Sequence, residues 1–165
     1  MSDNAPIWKP NVTVAAIIER GGRFLLVEEH TERGHLFNQP AGHLDSGESL
    51  IQGVARETLE ETAYVFKPTA LLGVYQYHYA AEDMTYIRFA FIGKITAHEA
   101  GRALDQGIIR AVWLTPEEIR REAARHRSPL VMRCIEDYLA GQRFPLSVLH
   151  YHPSCKSSQQ SQEGP

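Results

Sequence analysis

The sequence predicts an α/β fold, and three observations carry this prediction. Short runs rich in Val, Ile, Leu and Tyr are bounded by Gly, Pro, Asn and Asp, as strands bounded by turns are. One segment in the first half of the chain, residues 47–62, repeats its apolar residues at helical spacing. After the last strand-like run, Pro116 is placed as at a helix start and Gly141 as at a helix end. We therefore expect strands around one helix, followed by a helical C-terminal part.

The N-terminal half supplies two of the predicted strands and the first helix. The predicted elements are an arm over 1–10, strands over 11–19 and 23–29, a loop over 31–37 and a helix over 47–62. Between the two strands, Gly21 and Gly22 favour a tight hairpin turn. Asp45, with Glu48 three residues later, resembles an arrangement that caps a helix start.

The C-terminal half is predicted to form three strands followed by two helices. The predicted elements are strands over 69–79, 84–96 and 109–114, and helices over 116–127 and 129–140. The last stretch, 152–165, is rich in Ser and Gln and has little to bury, so we expect it to be disordered.

Composition narrows the class of protein. A chain of 165 residues with 43% apolar and 22% charged residues suits one globular domain. A net charge of −3 argues against a dedicated nucleic-acid binder. The two cysteines show neither zinc-ligand spacing nor a disulfide framework. With no apolar stretch of about 18 residues and no secretion signal, we expect a cytoplasmic protein without a membrane partner.

The helix over 47–62 has an acidic face. At about 100° per residue, Glu57, Glu60 and Glu61 fall within an arc of roughly 100°. A second, mostly apolar side is formed by Ile51, Val54, Ala55, Thr58 and Thr62. Clustered carboxylates repel one another, and a divalent cation such as Mg²⁺ or Mn²⁺ would remove that penalty. Acidic helix faces are usually only solvated surfaces, so the helix alone would be weak evidence for a metal site.

The spacing of six residues strengthens the interpretation as a site. They follow the pattern Gly-x5-Glu-x7-Arg-Glu-x2-Glu-Glu, and they are Gly42, Glu48, Arg56, Glu57, Glu60 and Glu61. At average residue frequencies this pattern should occur by chance in about one chain in 10⁵. The pattern resembles the Nudix box of the Nudix hydrolase family, with the box over 42–64 and a fold-level resemblance over roughly 8–145. Thr58 and Ala63 depart from the usual box residues, and Ala63 replaces a Gly that suits a left-handed helix exit.

The resemblance implies a Nudix-type α/β/α sandwich with a mixed β-sheet. It also implies that Glu57, Glu60, Glu61 and the Gly42 carbonyl hold Mg²⁺ or Mn²⁺, and that Glu48 forms an orienting ion pair with Arg56. The general base stays open between Glu57 and Glu61 in the box and acids from later segments. Those later candidates are Glu82, Asp83, Asp105, Glu117 and Glu118.

Four further residues are candidates for substrate binding: Arg23, Phe37, Tyr77 and Arg88. Arg88 lies within an apolar and aromatic run, where a charge either faces solvent or marks a site. Arg23 opens a strand and is more often a surface residue. Alternation places Tyr75, Tyr77 and Tyr79 on one strand face, which serves either the core or, with Phe37, the stacking of a heteroaromatic ring.

Four strings that lie outside the box or extend beyond it narrow the resemblance to the bacterial NudJ phosphatase branch. They are Val-Thr-Val-Ala at 12–15, Asn-Gln-Pro-Ala-Gly-His-Leu at 38–44, Arg-Ser-Pro-Leu-Val at 127–131 and Gly-Gln-Arg-Phe-Pro-Leu at 141–146. That branch implies small-molecule substrates: nucleoside tri- and diphosphates cleaved with orthophosphate release, and pyrimidine or thiamine pyrophosphates. The alternatives are a Nudix enzyme of the ADP-ribose or dinucleoside polyphosphate branches and a non-catalytic nucleotide-binding module. The sequence leaves monomer and dimer both open.

Overall fold

The computed structural model describes residues 7–153, which form strands in two sheets and three α-helices. The strands are β1 (Asn11–Ile17), β2 (Glu19–Arg20), β3 (Arg23–Thr31), β4 (Gly34–Asn38), β5 (Ala41–His43), β6 (Tyr64–Tyr79), β7 (Met84–His98) and β8 (Ile108–Leu114). The helices are α1 (Leu50–Thr62), α2 (Pro116–Arg121) and α3 (Leu130–Leu139), with short 3₁₀ turns at Ala123–Arg125 and Leu146–Val148.

The first sheet is mixed and carries the strands nearest to α1. Its order is β5-β1-β7-β6, with β1 parallel to β7 and the other neighbours antiparallel. In the second sheet β3 pairs antiparallel with β2, β4 and β8. The parallel β1–β7 pair requires a long crossover connection, and α1 and β6 lie within that connection.

The helices cover opposite sides of the sheets, because side chains of a strand alternate between its two faces. On β1, Ala15 and Ile17 face a core shared with Ile119 of α2 and Val131 of α3. The intervening Val14 and Ala16 face a second core that includes Val54 of α1. This arrangement confirms the predicted α/β/α sandwich with a mixed sheet.

The loop predicted over 31–37 is wrong, because this segment contains strand β4. Strand β3 runs to Thr31, a two-residue turn follows, and Gly34 then pairs with Thr31. Polar residues fill the turn and the first half of β4, which hides a strand whose Leu36 and Phe37 are buried. Sequence pattern alone gives no strand signal for so short and polar a run.

The strand predicted over 11–19 divides between the two sheets. Strand β1 ends at Ile17 in the first sheet, and β2 pairs with β3 in the second. The predicted hairpin turn is confirmed, and both Gly21 (φ 60°) and Gly22 (φ 78°) take the positive φ that a type I′ turn requires. Strand β6 begins at Tyr64 instead of residue 69, because the chain enters it directly after α1.

The start of α1 differs from the prediction over 47–62. The cap is Ser49, whose hydroxyl accepts from the Gln52 N–H, while the Gln52 side chain accepts from the Ser49 N–H. The capping assigned to Asp45 and Glu48 is therefore wrong. On the packing side Val54 and Thr58 are fully buried, whereas Ile51 is 36% exposed. At the exit Ala63 takes the left-handed conformation, with φ 59°.

The C-terminal part is helical, as predicted, but the helix expected over 116–127 is shorter. Helix α2 ends at Arg121, and the 3₁₀ turn Ala123–Arg125 follows it. The proposed arm over 1–10 and tail over 152–165 fall largely outside the described residues; Ile7 and Trp8 at the start of the described range are exposed. Within residues 7–153 no helix is long and apolar enough to span a membrane.

Candidate active site

Three carboxylates of the box lie on the side of α1 that faces strand β5. Glu61 accepts a hydrogen bond from the Ala41 N–H of β5 at 2.8 Å. Glu57 and Glu61 are each less than a tenth exposed, and Glu60 is half-buried one turn away. Spacings of three and four residues on α1 bring them together, as the sequence predicts.

Gly42 of β5 permits the close approach of Glu57. A Cβ atom at this position would lie inside van der Waals contact with all three atoms of the Glu57 carboxyl group. Glycine is therefore needed here for space, because its backbone leaves room for a buried carboxylate. The carboxylate of Glu57 and the backbone of Gly42 are neighbours in the folded chain.

Arg56 organises the acidic cluster. Its Nε and Nη2 donate to the two carboxylate oxygens of Glu48 at 3.1 and 2.7 Å, in a bidentate ion pair. Its Nη1 donates to Glu57 at 2.8 Å and to Glu60 at 3.0 Å. A further bond runs from Nη2 to the His43 carbonyl at 3.0 Å, which ties the cluster to β5. The expected Glu48–Arg56 pair is thus present, and the same guanidinium also holds two of the predicted metal ligands.

The carboxylates of the cluster have pKa values shifted in opposite directions. The hydrogen bonds from Arg56 hold the pKa of Glu48 below its usual range. Burial raises the pKa of Glu57 despite its contact with Arg56. Burial also raises the pKa of Glu61 to about 9, and the nearby charges of Glu29, Glu57 and Asp105 add to the shift. Glu61 therefore lies where negative charge is costly unless a positive charge compensates it.

The residues at this site fit a divalent cation. Among residues 7–153 the side chains form no preformed group of three metal ligands, and Mg²⁺ usually completes its coordination with waters and substrate phosphates. Oxygen donors of the kind that Mg²⁺ and Mn²⁺ prefer are gathered on α1, and Gly42 keeps space beside Glu57. The donor chemistry favours a metal site at this face.

A cleft of about 920 Å³ adjoins Gly42 and Glu61. Its walls come from β3 and the β3–β4 turn, the facing ends of β6 and β7, the segment before β8, and residues 127–130. Aromatic side chains on one wall, Tyr77, Tyr79 and Tyr86, face a cleft that also contains basic side chains. A cleft of this size and mixed polarity can hold a nucleotide.

The structure brings two of the four substrate-binding candidates into the cleft. Tyr77 and Arg88 line it, and Tyr77 stacks near Tyr79 with ring centroids 6.5 Å apart. Phe37 instead lies in the core under the Arg125 guanidinium. Arg23 is exposed, pairs with Glu118 at 3.0 Å and is not among the cleft-lining residues. The solvent-facing alternative for Arg88 is excluded, because its side chain is buried.

Of the later acids considered as general bases, some lie near the site and the others are exposed or already paired. Glu82 lines the cleft, and the charge of Asp105 acts on both Glu57 and Glu61. Asp83 is almost fully exposed, and Glu118 is occupied by the Thr115 cap and Arg23. Glu117 is exposed in the first turn of α2.

Sequence reasoning missed Glu29. This residue lines the cleft, lies 3.7 Å from Arg127 and acts electrostatically on Glu61. It comes near the end of β3, where two successive glutamates interrupt an apolar strand. That interruption was the available signal.

Comparisons with known proteins identify the family of this chain. The NUDIX domain model matches residues 8–134. The chain is 37% identical over 143 residues to the phosphatase NudJ of Escherichia coli K12, covering 87% of this chain and 92% of that protein. A solved NUDIX hydrolase from Nitrosomonas europaea is 52% identical, with a TM-score of 0.86 over 87% of this chain and 98% of that one.

A more distant solved structure shares the fold alone. The MutT NUDIX hydrolase from Burkholderia pseudomallei is 20% identical, with a TM-score of 0.67 over 79% of this chain and 98% of that chain. The family model and the two nearer relatives span the strands, the acidic helix and the cleft described above. The chain therefore belongs to the Nudix hydrolases, enzymes that act on phosphorus-containing acid anhydrides.

Proposed function

We propose that this enzyme is a divalent-metal-dependent phosphatase of nucleoside tri- and diphosphates that releases orthophosphate. The observation that carries the proposal is the buried acidic face of α1 against Gly42, beside a nucleotide-sized cleft. The 37% identity to a phosphatase, NudJ, supports the choice of branch. Hydroxymethylpyrimidine and thiamine pyrophosphates belong to the same proposed substrate class.

The metal-holding residues in this proposal are Glu57, Glu60, Glu61 and the Gly42 carbonyl. A bound Mg²⁺ or Mn²⁺ would neutralise phosphate charge and favour the attack of water. Arg56 keeps Glu57 and Glu60 oriented, while its bidentate bond to Glu48 fixes the guanidinium itself. Glu48 and Arg56 thus position the groups that meet the substrate.

The proposed reaction is the hydrolysis of the terminal phosphoric anhydride bond. Water adds to the terminal phosphorus, the bridging P–O bond breaks, and the proton of the water passes to a carboxylate. Glu57 and Glu61 are the first candidates for that base. The alternatives are Glu82, which lines the cleft, and Asp105, whose charge acts on both of them. The leaving group is the remaining nucleotide.

The cleft also supports broad tolerance for the base. Its aromatic wall offers Tyr77, whose ring can stack on any heteroaromatic ring. A substrate with its terminal phosphates at α1 and its ring at this wall makes few base-specific demands. We further propose a cytoplasmic enzyme, monomeric or dimeric, since its proposed substrates are free nucleotides.

Turnover of GTP with Mg²⁺ tests the proposal. The wild-type enzyme in ¹⁸O-labelled water should give GDP and labelled orthophosphate as the first products. Glu61→Gln keeps the size of the side chain but removes the ligand charge, so kcat should fall by about 10³-fold or more. Glu136→Gln, an exposed glutamate of α3, is the matched control and should turn over normally. GMP and pyrophosphate as first products would contradict the phosphatase branch, and undiminished hydrolysis by Glu61→Gln would contradict the site.

A further inference from the structure

Arg88 carries a buried positive charge at the wall of the cleft. Its side chain comes from β7, is 7% exposed and lines the cleft. Its Nη1 donates to the Gln39 side-chain oxygen at 3.2 Å, and its Nη2 donates to the Asn38 side-chain oxygen at 3.3 Å. No carboxylate oxygen lies within 4.0 Å of this guanidinium in the part of the chain that the structure describes.

Such a charge is costly without a counter-charge. Neutral amide oxygens satisfy hydrogen bonds but do not neutralise a guanidinium, and burial away from water removes the solvation that would otherwise stabilise it. Burial accordingly lowers the pKa of Arg88 from its ordinary value. By contrast, Arg110 and Arg125 both pair with the carboxylate of Glu28.

The nearest acids are occupied elsewhere. Glu29 pairs with Arg127 at 3.7 Å, and Glu61 accepts the Ala41 N–H at 2.8 Å. Both favour the charged form of Arg88 as longer-range charges, and the buried Cys134 thiol also contacts it. Since no ion pair forms within 4.0 Å in residues 7–153, a ligand in the cleft is left to complete the neutralisation.

The amide partners of Arg88 are themselves fixed. Gln39 is fully buried, and its side-chain N–H donates to the Val131 carbonyl of α3 at 2.8 Å, which turns its oxygen towards Arg88. Asn38 is 6% exposed and also lines the cleft. The guanidinium is thus held in one orientation before any ligand arrives, and binding costs little side-chain ordering.

We propose that Arg88, oriented by Asn38 and Gln39, is an anion subsite that binds a phosphate group of the substrate directly and without the metal. The ligand class is a polyphosphate chain, whose oxygens match a guanidinium in planar, bidentate fashion. This deepens the proposed function, because it assigns one phosphate to Arg88 and leaves the scissile phosphate to α1. The subsite should favour substrates that carry at least two phosphates.

Metal-free binding of inorganic tripolyphosphate tests the subsite apart from catalysis. In the presence of EDTA, calorimetry should show binding to the wild-type enzyme, and Arg88→Gln should weaken it about 10-fold to 100-fold, the range for a charged hydrogen-bonded contact. With Mg²⁺ and GTP, Arg88→Gln should raise KM by a similar factor and change kcat less. Arg120→Gln removes an exposed arginine of α2 and should match the wild type in both assays.

Two further variants keep the test decisive if Arg88→Gln folds poorly. Arg88→Lys keeps the charge but loses the planar fork, so tripolyphosphate affinity should fall between those of wild type and Arg88→Gln. Asn38→Asp places a carboxylate beside the guanidinium, and the resulting internal ion pair should abolish tripolyphosphate binding while the fold is kept. Equal metal-free affinity in wild type and the Arg88 variants, or no binding by the wild type, would overturn the subsite. Either result leaves the Glu61→Gln test of the proposed function intact.

Discussion

At the scale of single residues, the contact between Gly42 and Glu57 sets the shape of the acidic cluster. A methyl group at Gly42 would occupy the volume of the Glu57 carboxyl group. The backbone of Gly42 has a φ that alanine can adopt, so the effect of Gly42→Ala comes from side-chain displacement alone. Displacing a reacting group by about 1 Å commonly costs about 10²-fold in rate.

Gly42→Ala should therefore lower kcat by about 10²-fold with the fold retained. Steady-state GTP turnover with Mg²⁺ measures the loss, and circular dichroism checks the fold. Glu57→Asp shortens the displaced side chain, so a double-mutant cycle on the free energy of unfolding should show coupling between the two positions. Additive effects in that cycle, or a normal kcat for Gly42→Ala, would refute the steric account.

At the scale of elements, the start of α1 depends on Ser49 and not on the acids before it. The Ser49 hydroxyl and the Gln52 side chain each accept one N–H that the first turn would otherwise leave free. Asp45 is exposed and lies 3.5 Å from Arg56. A surface pair of this kind contributes little to stability.

Ser49→Ala should destabilise the protein by about 1 kcal/mol and lower Tm by about 2–4 °C. Asp45→Ala is the matched variant and should change Tm by less than about 1 °C, because its ion pair is exposed. Thermal unfolding followed by circular dichroism measures both variants. An equal decrease in Tm for the two variants would contradict the assignment of Ser49 as the N-cap.

Elements whose signal is local could be predicted from the sequence. The acidic face of α1 follows from spacings of three and four residues, and the turn at Gly21-Gly22 follows from backbone freedom. Features that depend on partners distant in sequence could not be predicted in this way. Strand β4 exists because β3 pairs with it, and Phe37 is buried because Arg125 and the core cover it. The glutamates at the end of β3 give a local signal, but that Glu29 acts on Glu61 of α1 depends on how these distant segments fold together.

At the scale of the whole molecule, Glu28 connects the second sheet to the segment after α2. Its carboxylate accepts from Arg110 of β8 at 2.7 Å and from Arg125 of the 3₁₀ turn. Burial would raise the pKa of Glu28, but the two guanidinium groups outweigh burial and hold it below 4.5. The charged form is therefore favoured more in the folded state than in the unfolded state.

Because the pKa of Glu28 is lowered in the folded state, its contribution to stability decreases as the pH falls. The stabilisation from Glu28 is complete above pH 4.5 and is lost as pH falls through the lower pKa of the folded state. Glu28→Gln should cost about 1–2 kcal/mol in the free energy of unfolding at pH 7. The difference in the free energy of unfolding between wild type and Glu28→Gln should then narrow as the pH falls below 4.5.

Urea unfolding at pH 7, 4.5 and 3 measures the difference in the free energy of unfolding between wild type and Glu28→Gln. Glu122→Gln removes a half-exposed partner of Arg125, so the free energy of unfolding of this variant should stay close to that of the wild type at every pH. A constant difference for Glu28→Gln across the range would mean that lost packing, not lost charge, causes its effect.

The order of strands in the first sheet has a consequence for synthesis on the ribosome. Strand β1 is flanked by β5 and by β7, and β5 has only three residues, so β1 lacks its main partner until β7 has been made. The apolar face of β1 therefore leaves the exit tunnel long before β7, its main partner strand. Until Phe91 of β7 has been made, the core around Val14, Ala16 and Val54 is incomplete, so we expect a nascent chain interrupted before Met84 to be a client for chaperones.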